Sequence, residues 1–330
     1  MLIDAHMHIF AREWLNDGNR WAVAQRWAKS RVPYRDPREI LPRIGETIHD
    51  PDGKQWARDR EFLGIDISVN LPTDWGSAEG WNEEAELSIK EINRQHCLLA
   101  EKYPGKLYTF IGVNPRRSNA LELLEMGVTE WGAKGLKLLP NLGFYPNDPV
   151  CYRLYEKCVK LGVPVTVHCG SGGFRYMKYT NPVHLDEPAK DFPELEFIMA
   201  HAGGGIGHLW AEAVSVAGAN PNINLEFSEN SVSVLKGGRR GSRGKYRDRT
   251  GQFIDMLDIM RNELAGGCAN MIFGTDYPAV SLESAKGWVD LFKNLPAVAA
   301  EYGYDFSQEE VDLMCYQNAA RIMKLDITKA

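Results

Sequence analysis

Long apolar runs and closely spaced cysteine pairs are both missing from this chain of 330 residues. No apolar run approaches the ~20 residues that a membrane-spanning helix needs, so we expect no membrane association. The chain also opens directly into an apolar strand, without the basic segment and apolar core of a secretory leader. We therefore expect a cytoplasmic protein.

The six cysteines form no CxxC pair and follow no regular spacing, which excludes a disulfide framework and a zinc knuckle. We expect free, mostly buried thiols. They are Cys97, Cys151, Cys158, Cys169, Cys268 and Cys315.

Charge is balanced, with a formal net charge of -6, and 44% of the residues are hydrophobic. This composition is that of an ordinary globular protein. The negative net charge disfavours nucleic acid as a partner. One segment, residues 236–249, is strongly basic. It carries Lys236, Arg239, Arg240, Arg243, Lys245, Arg247 and Arg249 against the single acid Asp248.

Histidine and aspartate side chains stand at the ends of apolar runs that are predicted to be strands. His6 and His8 lie two residues apart in the first run and therefore project from one face of a strand. His168, His201 and Asp276 each close or follow a later apolar run. Neutral imidazole is the commonest metal ligand among side chains, and burying several without a partner or a metal is costly. Together these five residues indicate a metal site.

The remaining four histidines lie in polar or helical stretches, and we interpret them as structural or surface residues. Two of them are less clear, because they lie shortly beyond a strand that carries a site residue. The four are His49, His96, His184 and His208, the last two being the less clear ones.

Predicted strands and helices alternate along the chain after a charged segment, residues 10–60, which we interpret as an insertion after the first strand. Eight strand-helix units with reactive side chains at strand ends indicate an α/β fold, a (β/α)8 TIM barrel, with its active site at the C-terminal face of the strands. An open doubly wound sheet would need a glycine-rich phosphate turn where this chain has histidines. We expect one domain over residues 1–330. The strands after the first are predicted at 65–71, 107–113, 133–138, 163–168, 196–201, 222–226 and 270–274.

Six segments together resemble the amidohydrolase superfamily. Within it, the chain is similar to the branch typified by aminocarboxymuconate semialdehyde decarboxylase and related metal-dependent hydrolases of barrel fold. The resemblance covers nearly the whole chain and is far more specific for the superfamily than for the reaction. The segments are IDAHMHIF, GLKLLPNLGFYPNDP, VTVHCG, MAHAGGG, IFGTDYP and QNAARIM.

The resemblance implies that His6, His8, His168 and Asp276 bind one divalent ion, zinc first and manganese second. His201 then acts just outside that shell as an acid or base. Lys137 matches the strand that supplies a carboxylated bridging lysine in two-metal members. A structural or substrate-contacting Lys137 is favoured, because three imidazoles and a carboxylate already fill a site.

A divalent ion with an open position lowers the pKa of its bound water, and Asp276 and His201 would then move protons. These roles suffice for hydrolysis of a C–N or C–O bond in an amide, lactone or ester, which is the first interpretation. The alternative is a non-oxidative decarboxylase of an unsaturated or aromatic carboxylic acid, since related proteins use the same arrangement. A silent binding or scaffold protein is a third hypothesis, disfavoured because all five site residues are present.

Four basic residues are predicted to contact a small, anionic substrate: Lys137, Arg175, Arg239 and Arg240. Arginine suits bidentate binding of a carboxylate. For the basic segment, a solvated loop or a contact with an acidic neighbouring subunit remains equally open, and for Arg175 ordinary loop packing is the alternative. A homodimer is expected only as the common state of soluble enzymes.

Six of the nine tryptophans lie in the loops after the first two predicted strands. They either roof an apolar pocket or form the small core of the insertion, and the second interpretation is favoured. The six are Trp14, Trp21, Trp27, Trp56, Trp75 and Trp81.

Overall fold

The structure is a computed structural model that describes residues 1–29, 33, 35–47, 49–76, 84–170, 176–204, 209–235 and 249–328. All six cysteines are buried free thiols, as predicted. Within these residues, no helix has the length and apolar character needed to cross a membrane.

The strands pair in parallel and follow the order of the chain. Three of them form one hydrogen-bonded sheet in the order β1-β2-β3, and six form another in the order β4 to β9. Parallel neighbours joined by helices are the repeating unit of an α/β protein. The strands are β1 Ile3–Met7, β2 Ile67–Asn70, β3 Leu107–Thr109, β4 Ile111–Gly112, β5 Leu136–Leu138, β6 Val165–His168, β7 Phe197–Ala200, β8 Ile223–Glu226 and β9 Met271–Ile272.

Backbone hydrogen bonds connect the two sheets at both of their ends. Phe110 alone separates β3 from β4, and its N–H donates to Asn70 O of β2 at 3.1 Å, so β3 and β4 are two halves of one strand. On the other side, Ala5 N donates to Phe273 O at 3.1 Å and Asp276 N donates to His6 O at 2.8 Å. The eight strands thus follow one another around the (β/α)8 barrel that the sequence predicts.

Helices lie between most consecutive strands; the first three belong to the segment after β1, and the last four follow β9. The π-helical segment Leu313–Gln317 joins the last two into one continuous helix. Their bounds are α1 Asp17–Lys29, α2 Pro37–Thr47, α3 Lys54–Leu63, α4 Ile89–Lys102, α5 Ala120–Thr129, α6 Pro149–Leu161, α7 Asp186–Asp191, α8 Trp210–Ala219, α9 Ser231–Val234, α10 Thr250–Glu263, α11 Leu282–Lys293, α12 Leu295–Glu301, α13 Gln308–Asp312 and α14 Asn318–Met323.

Two helix starts illustrate how local sequence sets these bounds. A capping box forms at α13, where Ser307 Oγ accepts from Glu310 N at 3.2 Å and Glu310 Oε2 accepts from Ser307 N at 2.8 Å. At α6, Pro149 occupies the first turn, but the Asp148 side chain makes no cap bond. Its carboxylate instead accepts from Tyr145 N at 2.8 Å, which fixes the loop before the helix.

Aromatic rings attach α10 and α11 to the barrel. The Phe253 and Trp288 ring centroids are 4.7 Å apart, and those of Phe273 and Phe292 are 5.0 Å apart. All four side chains are fully buried. Phe273 directly follows β9, so this cluster fixes the strand end from which Asp276 extends.

The segment 10–60, which was predicted to be an insertion, contains α1, α2 and most of α3. The first two helices pack on each other through a small apolar cluster of their own, formed by Ala24, Ala28, Ile40 and Ile44. This cluster is separate from the main core between the barrel and its outer helices.

Candidate metal centre

The five residues predicted from the sequence converge on one cavity at the C-terminal ends of the strands. His6 and His8 come from β1 and the residue just beyond it, while His168 ends β6. His201 follows β7 directly and Asp276 follows β9. All five side chains line the same cavity and are nine-tenths or more buried. Parallel strands end at the same face of a barrel, which explains how residues 270 positions apart in the sequence meet.

Three of them form a compact set of donor atoms. His8 Nε2 lies 3.1 Å from Asp276 Oδ1, and His6 Nε2 lies 3.7 Å from the same oxygen. Two ligands held about 2.0 to 2.2 Å from a tetrahedral zinc ion are roughly 3.4 Å apart, so this spacing fits a shared cation. The donor chemistry, two imidazoles and a carboxylate, suits a divalent transition metal.

The rings of His6 and His8 are each fixed through Nδ1. His6 Nδ1 lies 2.7 Å from Glu226 Oε2, and His8 Nδ1 lies 2.8 Å from the carbonyl oxygen of Leu71. Nδ1–H donation to a carboxylate or carbonyl leaves the Nε2 lone pair free to bind a cation. Burial lowers the pKa of His6, and the nearby positive charge of Lys137 lowers it further, so its ring is neutral as a ligand must be.

His168 and His201 form a second pair beside this set. His201 Nε2 lies 3.0 Å from His168 Nδ1, and His201 Nδ1 lies 2.9 Å from Ser228 Oγ. Burial lowers the pKa of His201. The structure thus brings His168 into the cavity but directs its Nδ1 at His201, and its role as a ligand stays a prediction.

Acidic residues extend the site on the side of β8. Among the described residues, two further groups of three have donor atoms all within 4.8 Å of one another. One is His6, His201 and Glu226, and the other is His201, Glu229 and Asp276. These groups share members with the compact set, so they are parts of one polar centre.

Lys137 lies at the inner end of the cavity. It is 2% exposed, and its Nζ is 3.4 Å from His6 Nε2. Burial lowers the pKa of Lys137, while the negative charges of Glu226 and Asp276 act in the opposite direction. Lys137 therefore adjoins the compact set of donor atoms.

Three site residues have a left-handed backbone. The φ angles are 66° at His201, 63° at Glu229 and 61° at Asp276. Side chains other than glycine adopt this region rarely and at a cost, and such residues cluster at functional sites. At Asp276 the hydrogen bond from its N–H to His6 O holds the turn.

Sequence reasoning missed the acidic side of the centre. Glu226 is the last residue of β8 and is fully buried, and Ser228 and Glu229 follow it. The signal was available, because Glu226 ends a predicted strand just as His168 does.

Apolar side chains cover the side of the cavity that the insertion provides. Leu15, Val23 and Trp27, at or just before α1, line it together with Trp75 from the loop after β2. Trp14 and Trp56 instead belong to a buried cluster with residues of β1 and α4. Trp27 and Trp75 thus line the cavity, whereas Trp14 and Trp56 pack in a core that the insertion shares with the barrel. Trp81 lies outside the described residues.

Of the four basic residues predicted to contact substrate, the structure places Lys137 in the cavity. Arg175, Arg239 and Arg240 lie outside the described residues, as does His208. The other three histidines that the sequence analysis interprets as structural or surface residues do not line the cavity. His96 is buried against Asn70, His49 is partly exposed, and His184 contacts the carbonyl oxygen of Lys178.

Comparison with known proteins gives one family across nearly the whole chain. The model of the family described as amidohydrolase matches residues 3–325.

Two curated relatives are enzymes with different reactions. The chain is 27% identical over 323 aligned residues to 2-keto-4-carboxy-3-hexenedioate hydratase of a Sphingobium species, covering 80% of this chain and 92% of that protein. It is 22% identical over 228 residues to 2-amino-3-carboxymuconate-6-semialdehyde decarboxylase of Dictyostelium discoideum. That match covers 61% of this chain and 63% of the relative, which is less than two thirds of its length.

A solved structure shares the fold. The 5-carboxyvanillate decarboxylase of Novosphingobium aromaticivorans, with manganese and 4-hydroxy-3-methoxy-5-nitrobenzoic acid, superimposes with a TM-score of 0.68. The identity is 14%, and the alignment covers 98% of this chain and 96% of that one.

Proposed function

The chain belongs to the amidohydrolase family of enzymes, and we propose that it is a metal-dependent decarboxylase of a small unsaturated or aromatic carboxylic acid. The observation that carries this proposal is the compact set of His6, His8 and Asp276 at the base of a cavity with an apolar wall. The decarboxylase names of a curated relative and of a structural neighbour support the same class.

The proposed metal is one divalent ion, zinc or manganese, bound by His6, His8, His168 and Asp276. Nitrogen and carboxylate donors suit both metals, and the superimposed neighbour contains manganese. When bound, the ion would hold the acidic substrate and offset its negative charge. A second ion bridged by a carboxylated Lys137 is not part of this proposal.

Decarboxylation needs a proton donor and a dry environment. The C–C bond to the carboxylate breaks, the electron pair remains on the substrate carbon, carbon dioxide leaves, and a proton takes its place. The apolar wall excludes water around the carboxylate, which favours loss of its charge as neutral carbon dioxide. Lys137, buried at the inner end of the cavity, offers a positive charge to an anionic substrate.

His201 is the proposed proton donor. Its pKa is lowered by burial, so its protonated form gives up a proton readily. Ser228 Oγ lies 2.9 Å from His201 Nδ1 and 2.7 Å from Glu226 Oε2. The Ser228 hydroxyl, which lies between the Glu226 carboxylate and His201, orients the His201 ring for proton transfer.

Hydration is the second candidate, because the hydratase relative aligns with more of the chain than the decarboxylase relative does. Hydrolysis, which came first in the interpretation of the sequence, has less support, since neither of these two relatives is named a hydrolase.

Isotopes in the solvent distinguish the three reactions. Zinc- or manganese-loaded protein is incubated with a panel of aromatic and unsaturated carboxylic acids in deuterated, oxygen-18 water. A decarboxylase releases carbon dioxide and leaves one deuterium and no oxygen-18 on the carbon product. Oxygen-18 at a saturated carbon would instead establish a hydratase, and oxygen-18 in a newly formed acid would establish a hydrolase.

A further inference from the structure

Helix α3 carries one carboxylate on its buried face. The buried residues of this helix are Trp56, Asp59 and Leu63, and their spacing of three and four places them on one side. Asp59 is 7% exposed. Burying a carboxylate costs free energy unless hydrogen-bond donors satisfy it, so its presence on this face requires partners.

Tyr277 is one of these partners. Its hydroxyl donates to Asp59 Oδ2, and Gln55 Nε2 donates to the same oxygen at 2.6 Å. A carboxylate forms stronger hydrogen bonds than a neutral acceptor does. Because Tyr277 directly follows Asp276 in the chain, this contact joins α3 to the segment that carries a proposed metal ligand.

The backbone around Tyr277 contacts both histidines of the compact set. Tyr277 O accepts from His8 N at 2.7 Å, and Asp276 N donates to His6 O at 2.8 Å. The left-handed conformation of Asp276, with a φ of 61°, is costly and persists only where the surroundings hold it. A displaced Tyr277 would therefore disturb Asp276 and His8 together, and with them the 3.1 Å spacing of their ligand atoms.

The start of α3 is fixed beside the first strand. The Asp50 carboxylate accepts from Gln55 N at 3.0 Å and from Trp56 N at 2.8 Å. Asp50 N in turn donates to Phe10 O at 2.7 Å, and Phe10 lies two residues beyond His8. The helix that carries Asp59 is thus anchored to the chain segment of one ligand and contacts the segment of another.

We propose that Asp59 is a positioning residue for the metal centre, which holds Asp276 and His8 at their ligand spacing through the hydroxyl of Tyr277. Among the described residues that line the cavity, neither Asp59 nor Tyr277 is present, so both act through the ligands. This proposal rests on the proposed function for the metal but not for the reaction.

Zinc affinity in a double-mutant cycle tests the assignment. Tyr277→Phe removes the donor, and Asp59→Leu removes the acceptor. We expect each change to weaken zinc binding about 10-fold, measured by competition with a chelator. The double variant should also be about 10-fold weaker, because the two residues act through one contact. Asp59→Asn retains an acceptor oxygen and should lose less affinity than Asp59→Leu.

Cobalt(II) in place of zinc reports the geometry of the ligands. Its visible absorption depends on their number and arrangement, so the bands should shift in Tyr277→Phe and in Asp59→Leu. Tyr155→Phe is the matched control, since Tyr155 is fully buried and its hydroxyl donates to Pro146 O at 2.8 Å. This control should lower the melting temperature, with an unchanged cobalt spectrum and a zinc affinity within about twofold of the wild type.

Two results would overturn the assignment. One is wild-type zinc affinity and an unchanged cobalt spectrum in both single variants, even where their melting temperatures fall as in Tyr155→Phe. The other is an additive loss of about 100-fold in the double variant, which would mean that Asp59 and Tyr277 act separately.

Failure of the proposed function gives a different pattern. A wild-type protein that binds neither zinc nor cobalt would refute the metal centre, and the role of Asp59 with it. A protein that binds zinc but releases no carbon dioxide from any acid would refute the reaction alone. The expected losses of affinity in the variants would then still support the role of Asp59.

Discussion

Glu226 Oε2 lies 2.7 Å from His6 Nδ1, and both side chains are almost completely buried. The carboxylate fixes the orientation of the imidazole and keeps its Nε2 directed at Asp276. Gly274 leaves room for this arrangement, because a Cβ atom at that position would collide with the Glu226 carboxylate. Glu226 thus orients His6 for the proposed metal without belonging to the compact set itself.

We predict that Glu226→Gln weakens metal binding about 10-fold and Glu226→Ala about 100-fold, because His6 loses a strong acceptor that aligns its ring. Competition with a chelator of known affinity measures this change. Glu125→Gln is the matched control, since Glu125 is an exposed residue paired with Lys157. Equal metal affinity in the wild type and both Glu226 variants would contradict the role assigned to Glu226.

A second experiment should distinguish the proposed metal ligand His8 from the proposed proton donor His201. His8→Ala is expected to lose the ion, because its Nε2 belongs to the compact donor set. His201→Asn is expected to retain it and to slow carbon dioxide release by about 10²- to 10⁴-fold, the usual contribution of a general acid. Elemental analysis and initial rates on the same samples measure both effects. Unchanged rates in His201→Asn would remove this residue from the mechanism.

Acid stability should depend on His96. This ring is fully buried, its Nδ1 lies 2.8 Å from Asn70 Nδ2, and burial lowers its pKa from 6.5 to about 3. The unfolded chain takes up a proton near pH 6.5 that the folded protein excludes. The stability that neutral His96 contributes is therefore complete above pH 6.5 and is lost as the pH falls towards 3.

We predict that this group contributes a slope of about 1.4 kcal/mol per pH unit to the free energy of unfolding in that window. His96→Gln retains a hydrogen-bonding side chain but does not titrate, so its slope should be smaller by that amount. Urea unfolding at a series of pH values gives both slopes. Parallel curves for the two proteins would show that His96 is not the group responsible.

The ion pair of Asp74 with Arg117 should be important for stability. Arg117 Nη2 donates to Asp74 Oδ1 at 2.8 Å, and the Asp74 side chain is 2% exposed. Arg117→Met leaves this buried carboxylate without its counter-charge, and a loss of about 3 to 5 kcal/mol in unfolding free energy is expected.

Arg38→Met provides the comparison, because Arg38 is paired with Asp36 at the surface and is 83% exposed. We expect Arg38→Met to lower the free energy of unfolding by less than about 1 kcal/mol. Denaturant titration measures both variants. A similar small loss in each would mean that water reaches Asp74 and replaces the arginine.

The sequence was sufficient to predict the barrel and the residues at its strand ends. Strong apolar runs each closed by His168, His201 or Asp276 follow directly from parallel strands that share one catalytic face. The break at Phe110, which divides one predicted strand into β3 and β4, was not predictable, since it depends on pairing with different neighbours on either side.

Other parts of the site depend on contacts that no local pattern records. Glu226 ends a predicted strand, but its place beside His6 follows only from the way the strands close into the barrel. Asp59 would be read from sequence as an ordinary charged residue of a surface helix, because its burial arises from the way α3 packs against the segment after β9. The prediction that the basic segment reaches substrate stays a prediction, since residues 236–248 lie outside the described part of the chain.

The separate apolar cluster between α1 and α2 has a consequence for how this protein diversifies. Mutations in α1 that reshape the apolar wall of the cavity can be compensated by changes in α2. The strand ends that carry the site residues then stay undisturbed. Selection can therefore alter which molecules are accepted while the reactive centre keeps its geometry. An engineer who grafts a different helical pair between residues 17 and 47 would be exploiting the same independence.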